Sequence, residues 1–234
     1  MQGEKHKEIR STQSLLKERL EADSSLPHGY YVMAQSQTEG RGRGNHPWVS
    51  LPGNLLVSIL LRELPFQELT WIPHWVSVCV LNALTELGVN SSLIQLKWPN
   101  DLWIEGSKKT GGILCEKKGD VIFVGIGLNL NASPEISQET GSISQISDPI
   151  LPEDLLENII KQLLSPTSIS TLREIYEKHA LFKAGERIEW RQDENGALST
   201  GSIVGLGLHG ELLVLCNDET IPLFVEDVRA VRLS

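Results

Sequence analysis

The segment from Gly40 to Trp48 reads Gly-Arg-Gly-Arg-Gly-Asn-His-Pro-Trp. Glycines at 40, 42 and 44 open the backbone to conformations closed to other residues. Arg41 and Arg43 between them are permanent cations that can grip a carboxylate or phosphate through paired hydrogen bonds. Trp48 adds a flat apolar surface on which a planar ring could lie. These are the parts of a site for an anionic, nucleotide-like species. A solvated surface loop is the plain alternative, because an isolated glycine-rich string carries little specificity.

Three more segments could carry chemistry. In Lys97-Trp98-Pro99-Asn100-Asp101, proline holds Trp98 extended, so the strand ends and a turn presents Asn100 and Asp101. Asp101 suits a magnesium ion or a ribose hydroxyl and Lys97 a phosphate; an Asx-capped turn is the alternative. In Lys108-Lys109-Thr110-Gly111-Gly112, placed just before a strand, the glycines let a ligand approach the backbone and bring Lys109 beside it. A solvated lysine pair is the alternative there. Gly125-Ile126-Gly127-Leu128-Asn129 puts two glycines into an apolar strand, which weakens it unless a ligand, a bulge or a tight helix crossing needs the space.

Other signals fail. Gly205 to Gly210 matches G-x-G-x-x-G, but a strand-like stretch follows it, whereas the dinucleotide fingerprint requires a helix N-terminus. Gly40 to Gly44 lacks the Gly-Lys-Ser/Thr ending of a P-loop. The 6 histidines show no metal-ligand spacing, and no Ser/His/Asp arrangement can be defended from chain order.

The elements that must position these residues follow from periodicity. Ser11 or Thr12 can cap a short helix carrying Leu15, Leu16, Arg19 and Leu20. Strands are expected at Tyr30 to Ala34 and Leu55 to Leu61, flanking the glycine–arginine loop. Apolar residues repeat at helical spacing from Trp71 to Leu87, with Gly88 as the stop. Leu93 to Trp98 and Leu102 to Ile104 read as strands, and Ile113 to Lys117 with Val121 to Leu130 as a hairpin through Lys118-Gly119-Asp120. Helices are expected near Glu153 to Leu164 and Thr171 to Leu181. From Arg187 the chain turns short, alternating and strand-like, with turns at Asn195-Gly196, His209-Gly210 and Asn217-Asp218, which predicts a small all-β barrel. The predicted fold is α+β, with one unit over 1–182 that holds these segments and a β unit over 183–234.

Composition narrows the function. With 234 residues and 40% hydrophobic content the chain can bury a sizeable core. A net charge of −9 opposes general nucleic-acid binding, so the local Arg41/Arg43 pair stands against the sign of the whole. Cys79, Cys115 and Cys216 are odd in number and widely spaced, which predicts reduced thiols in a cytoplasmic protein. Met1 to Arg10 is charged and lacks the apolar core of a secretory signal, and no apolar run reaches membrane-spanning length.

Taken together in this order and spacing, the motifs resemble biotin–protein ligases from about Ile9 onward. The marks are Ser11-Thr12, Gln37, Gly40-Arg41-Gly42-Arg43, Trp48, Lys97 to Asp101, Lys109 to Gly112 and Gly125 to Asn129. The resemblance implies a central mixed sheet with flanking helices, of the class II aminoacyl-tRNA synthetase and biotin ligase type, plus a C-terminal SH3-like barrel. It implies activation of biotin by ATP and magnesium to biotinyl-5′-AMP, then transfer to a lysine of a biotin carboxyl carrier domain, by a monomer or homodimer. By resemblance Lys109, Arg43 and Lys97 carry the catalysis. Ser11, Thr12, Gln13, Gln37, Gly40, Arg41, Gly42, Arg43, Lys109, Gly112, Gly125 and Gly127 bind biotin. Arg41, Arg43, Trp48, Asn100, Asp101, Lys109 and Asn129 bind the nucleotide. Asp101 is the candidate magnesium ligand.

Three positions depart from the family pattern: Asn45-His46 stands where a further glycine–arginine pair is common, and Gln13 where asparagine is usual. The chain begins near the catalytic unit, so no DNA-binding segment is expected. The alternatives are a lipoate or octanoyl ligase of similar fold, a biotin sensor without chemistry, and a nucleic-acid module using the terminal barrel. Lys109, Arg43 and Asp101 together argue against a sensor, and the terminal segment is not basic.

Overall fold

The computed structural model describes residues 2–132, 134, 139–191, 197–225 and 230–233. The chain runs β1 (Gly3–Ile9), α1 (Thr12–Ala22), β2 (Tyr31–Gln37), β3 (Leu55–Leu61), α2 (Ile72–Glu86), β4 (Ile94–Lys97), β5 (Asp101–Ile104), β6 (Lys108–Lys118), β7 (Val121–Leu128), α3 (Pro152–Leu163) and α4 (Ile169–His179). Then follow β8 (Arg187–Arg191), β9 (Ser199–Leu206), β10 (Leu212–Cys216), β11 (Glu219–Leu223) and β12 (Ala230–Leu233). The first seven strands form one sheet in the order β1-β2-β3-β7-β6-β5-β4. It is mixed, because β1 pairs parallel with β2 while the other pairings are antiparallel.

Strand alternation divides the core between two faces. On β3, Leu55, Val57, Ile59 and Leu61 join the large cluster under α2 and α3. Leu60 points the other way, with Leu16, Val32 and Phe123 beneath α1. Both faces are covered, which is why the run Leu55–Leu61 is buried throughout and apolar at all positions but one. Ser58 is its one polar member and is fully buried.

Several expectations need correction. Strand β1 had no apolar signal, because it is an edge strand with a largely exposed, charged sequence. Strand β6 begins at Lys108, so Lys109 stands on a strand instead of in the loop before one. The SH3-like barrel does not form. The last five strands make an open sheet in the order β11-β10-β9-β8-β12, and its end strands do not pair with each other among the described residues. Short alternating strands with tight turns suit an open sheet as well as a closed one, since closure depends on tilt and register that alternation does not encode. The expected Asn195-Gly196 turn lies outside the described residues.

The rejected Gly205 to Gly210 string runs from the end of β9 into its connection with β10, and it packs against Trp71, Trp98 and Arg173. Trp71 Nε1 donates to the Leu208 carbonyl at 2.9 Å and Trp98 Nε1 to that of Gly210 at 3.1 Å. Arg173 donates to the Gly207 carbonyl, with its guanidinium over the Trp71 ring. His74 lies in the same contact, between Trp71 and Tyr176.

Burial pushes His74 down to about 4 from its usual 6.5, so it stays neutral when folded. The unfolded chain takes up that proton below 6.5, so this contribution to stability is intact above 6.5 and is lost as pH falls toward 4. The expected result is a melting temperature that drops across that window, and less steeply in His74→Phe. An equally steep drop in the variant would count against this account.

Candidate functional site

A cavity of about 520 Å³ opens on the α1 side of the sheet, and the loop from Arg41 to Trp48 covers it. Its wall includes Ser11, Thr12, Gln13, Gln37, Arg41, Gly42, Arg43, Trp48, Asn100, Asp101, Lys109, Gly112, Gly125 and Gly127. Four segments separated by many residues thus meet in one place. Gly40, Lys97 and Asn129 are not in that wall.

One end is polar and buried. Ser11 caps α1, its hydroxyl accepting from Ser14 N–H at 3.4 Å. Thr12 N–H donates to Gln37 Oε1 at 2.8 Å. Behind them Ser58 Oγ lies 2.9 Å from Thr12 Oγ1 and donates to Gln13 Oε1 at 2.8 Å. Gly125 leaves room for this amide: a Cβ there would stand 3.1 Å from Gln13 Oε1.

The other end is ionic. Lys109 Nζ and Asp101 Oδ1 are 2.7 Å apart, reaching across the paired strands β6 and β5. A cis peptide joins Trp98 to Pro99 at the start of the turn that leads to Asp101. Arg43 donates to Asn100 Oδ1 at 3.2 Å and to the Val225 carbonyl, beyond β11, at 2.7 Å. Asn100 is itself held by its Nδ2 bond to the Ile113 carbonyl at 2.6 Å. Arg41 reaches toward Ser14 Oγ at 3.5 Å. Among the described residues three cations and one carboxylate therefore line this cavity, a pattern that suits an anionic ligand.

The loop is a closed turn. Gly42 N–H bonds the His46 carbonyl at 2.8 Å, Trp48 N–H bonds that of Gly40 at 2.8 Å, and Arg41 bridges Pro47. Gly44 takes φ 60°, a left-handed conformation that favours glycine. Gly40 has no space for a side chain, since a Cβ would stand 2.6 Å from the Trp48 carbonyl oxygen. His46 lines the cavity where the family pattern often has arginine.

The Trp48 ring lies against β7: a Cβ on Gly127 would stand 2.6 Å from its Cε2. Gly127→Ala is thus expected to displace the indole at a cost of about 1–3 kcal/mol of overpacking. A shifted tryptophan emission spectrum together with a lowered melting temperature checks this; an unchanged spectrum would contradict it.

The three residues outside the wall have other surroundings. Lys97 Nζ sits 4.5 Å from the Trp103 ring centroid and 5.5 Å from that of Phe182. Asn129 is buried, accepting from Asn54 at 3.2 Å and donating to the Gly141 carbonyl at 3.1 Å. Ser58 and Asn54 carried no sequence signal, as each is a lone polar residue beside an apolar run. No group of three His, Cys, Asp or Glu that could hold a metal is present among the described residues.

An open mixed sheet thus carries a polar, cation-lined cavity beside a glycine–arginine loop. The model of the Biotin/lipoate A/B protein ligase family matches residues 6–131, more than half of the chain, and the chain belongs to that family. A Bacillus subtilis bifunctional ligase/repressor, BirA, is 35% identical over 153 residues, covering 60% of this chain and 45% of its own. Arabidopsis thaliana biotin–protein ligase 2 is 26% identical over 217 residues, 85% of this chain and 65% of its own. The chain therefore spans less than two thirds of each of these relatives. The solved biotin protein ligase of Aquifex aeolicus, in complex with biotin and ATP, is similar throughout: TM-score 0.82, 27% identity, 100% of this chain and 99% of that one.

Proposed function

We propose that the chain is an ATP-dependent biotin–protein ligase. The observation that carries this reading is the buried polar end of the cavity, Ser11, Thr12, Gln13 and Ser58, lying opposite the ionic end. A cyclic urea can use the lone pairs and the Ser11 proton that the bonds among these residues leave over, whereas the dithiolane of lipoate would cover them without bonding them, which is costly. The family includes both substrate types, so this end of the cavity makes the choice.

In the first step a biotin carboxylate oxygen attacks the α-phosphorus of ATP. The new P–O bond gives biotinyl-5′-AMP, and pyrophosphate leaves with the electrons of the broken P–O bond. Two anions must meet, so Lys109 and Arg43 offset their repulsion and stabilise charge on the phosphoryl oxygens. Arg41 completes the biotin side of the loop, and Trp48, Asn100 and Asp101 form the nucleotide side. In the second step the neutral amine of an acceptor lysine attacks the anhydride carbonyl, forming an amide and releasing AMP. Closure of the loop from Gly40 to Trp48 keeps water from the anhydride.

Magnesium is commonly held by one or two carboxylates together with substrate phosphates. Asp101 is the only carboxylate of the cavity wall among the described residues, which fits an ion that arrives on ATP. Lys97 we assign to bracing Trp103 and Phe182, outside the chemistry. Asn129 we assign to holding the chain after β7 through Asn54 and Gly141. The unit boundary is placed near Phe182, between α4 and β8. The acceptor is a biotin carboxyl carrier domain, and three free cysteines suit a reducing, cytoplasmic compartment.

The test is transfer. With ATP, magnesium and labelled biotin, the protein should attach label to the acceptor lysine of a carrier domain and not to its Lys→Arg variant. Label on neither, or lipoyl label in its place, would overturn the proposal.

A further inference from the structure

A carboxylate behind the cavity gives its polar end a direction. Gln13 Nε2 donates to Glu116 Oε2 at 2.9 Å and to the Phe123 carbonyl at 3.2 Å. Both amide protons are thereby used, so Oε1 must be the accepting end. Ser58 Oγ donates its single proton to that oxygen at 2.8 Å, so toward Thr12 Oγ1, 2.9 Å away, it can act only as an acceptor. The Thr12 proton has two inward acceptors, Ser58 Oγ and Gln37 Oε1 at 3.1 Å, and with either one Thr12 turns only lone pairs to the cavity. Ser11 Oγ already accepts from Ser14 N–H, which leaves its proton for the cavity.

An ionised carboxylate can only accept, and with the Phe123 carbonyl it sets the direction of the whole chain of bonds, through the shorter of the two contacts. Lys17 Nζ fixes the same Glu116 oxygen at 2.8 Å. Burial pushes the Glu116 carboxyl up, but bonds from Lys17 and Gln13, with the charges of Lys17 and Arg41, outweigh it and hold the group below its ordinary value. Neither Glu116 nor Lys17 lines the cavity.

We propose that Glu116, held by Lys17, is a positioning residue that fixes the donor–acceptor polarity of this end and so selects a cyclic urea. The lone pairs of Thr12 Oγ1 and Gln13 Oε1 meet two ring N–H groups, and the Ser11 hydroxyl meets the carbonyl. Without Glu116 only the Phe123 carbonyl, at 3.2 Å, still opposes a half-turn of the Gln13 amide that would present N–H where an acceptor is needed. The inference rests on reading the cavity as a biotin site.

The experiment is a double-mutant cycle of Glu116→Ala and Gln13→Ala, read as biotin affinity by calorimetry and as KM for ATP. Glu116→Ala should weaken biotin binding about tenfold, the scale of one hydrogen bond to a charged group. The same change in a Gln13→Ala background should cost less than about twofold, because the effect passes through Gln13. KM for ATP should move by less than about twofold in Glu116→Ala, since Lys109, Arg43, Asn100 and Asp101 do not share these partners. Glu116→Gln keeps an accepting oxygen and should bind biotin better than Glu116→Ala, and it serves if the alanine variant fails to fold. Additive effects in the cycle, or equal losses for biotin and ATP, would overturn the proposal. Failure of the unaltered protein to bind biotin would remove the ligase reading itself; binding by that protein with an additive cycle would remove only the role of Glu116.

Discussion

Lys109→Ala is expected to slow adenylate formation about a hundred- to a thousandfold, the loss found when one donor is removed from a charge-developing centre. Lys109 projects from β6 into the cavity and is held 2.7 Å from Asp101 on the neighbouring strand. It is therefore positioned before any ligand arrives, and a preorganised cation needs no reorganisation at the moment of reaction. The effect should fall on the chemical step: pyrophosphate release in a single turnover should slow, while biotin affinity, set at the opposite end, changes much less. Near-normal turnover would remove Lys109 from the mechanism. Loss of biotin binding alone would make it a binding residue.

Arg43→Gly is expected to shorten the lifetime of the bound adenylate about ten- to a hundredfold, from the loss of charge-assisted contacts of about 1.5–3 kcal/mol. The geometry supplies a second reason. Arg43 bonds Asn100 at the strand-end turn and the Val225 carbonyl beyond β11, tying the cavity loop to both sheets. Removing the guanidinium frees the loop as well as the phosphate. The reactive anhydride should then escape, and lysines of bystander proteins should acquire biotin. A variant that remains fully acceptor-specific would count against this retention role.

Much of this site was legible in the sequence because each segment carried a local signal. Glycine–arginine alternation, a Lys-Trp-Pro-Asn-Asp turn and paired strand glycines have chemical reasons that need no fold. The reasons for the glycines were less legible. Gly127 makes room for Trp48 and Gly125 for Gln13, contacts between segments far apart in the chain. Ser58, Glu116 and Lys17 were missed for a related cause. A serine within an apolar strand and a Glu/Lys pair on a hairpin and a helix look ordinary until β3, β6 and α1 are brought together.

The fold divides the same way. Helices α2 and α3 and the central strands followed from periodicity, since burial imposes it. Strand β1 did not, because an exposed edge demands no apolar pattern. Nor was the open form of the second sheet legible. It is fixed by the pairing order β11-β10-β9-β8-β12, and alternation is the same in open and closed sheets.

Biotin-dependent exchange of labelled pyrophosphate into ATP tests the central claim most directly, because it reads the first chemical step without any acceptor. The account predicts exchange with biotin and none with lipoate under the same conditions. Exchange with lipoate and not biotin, or with neither, would contradict it.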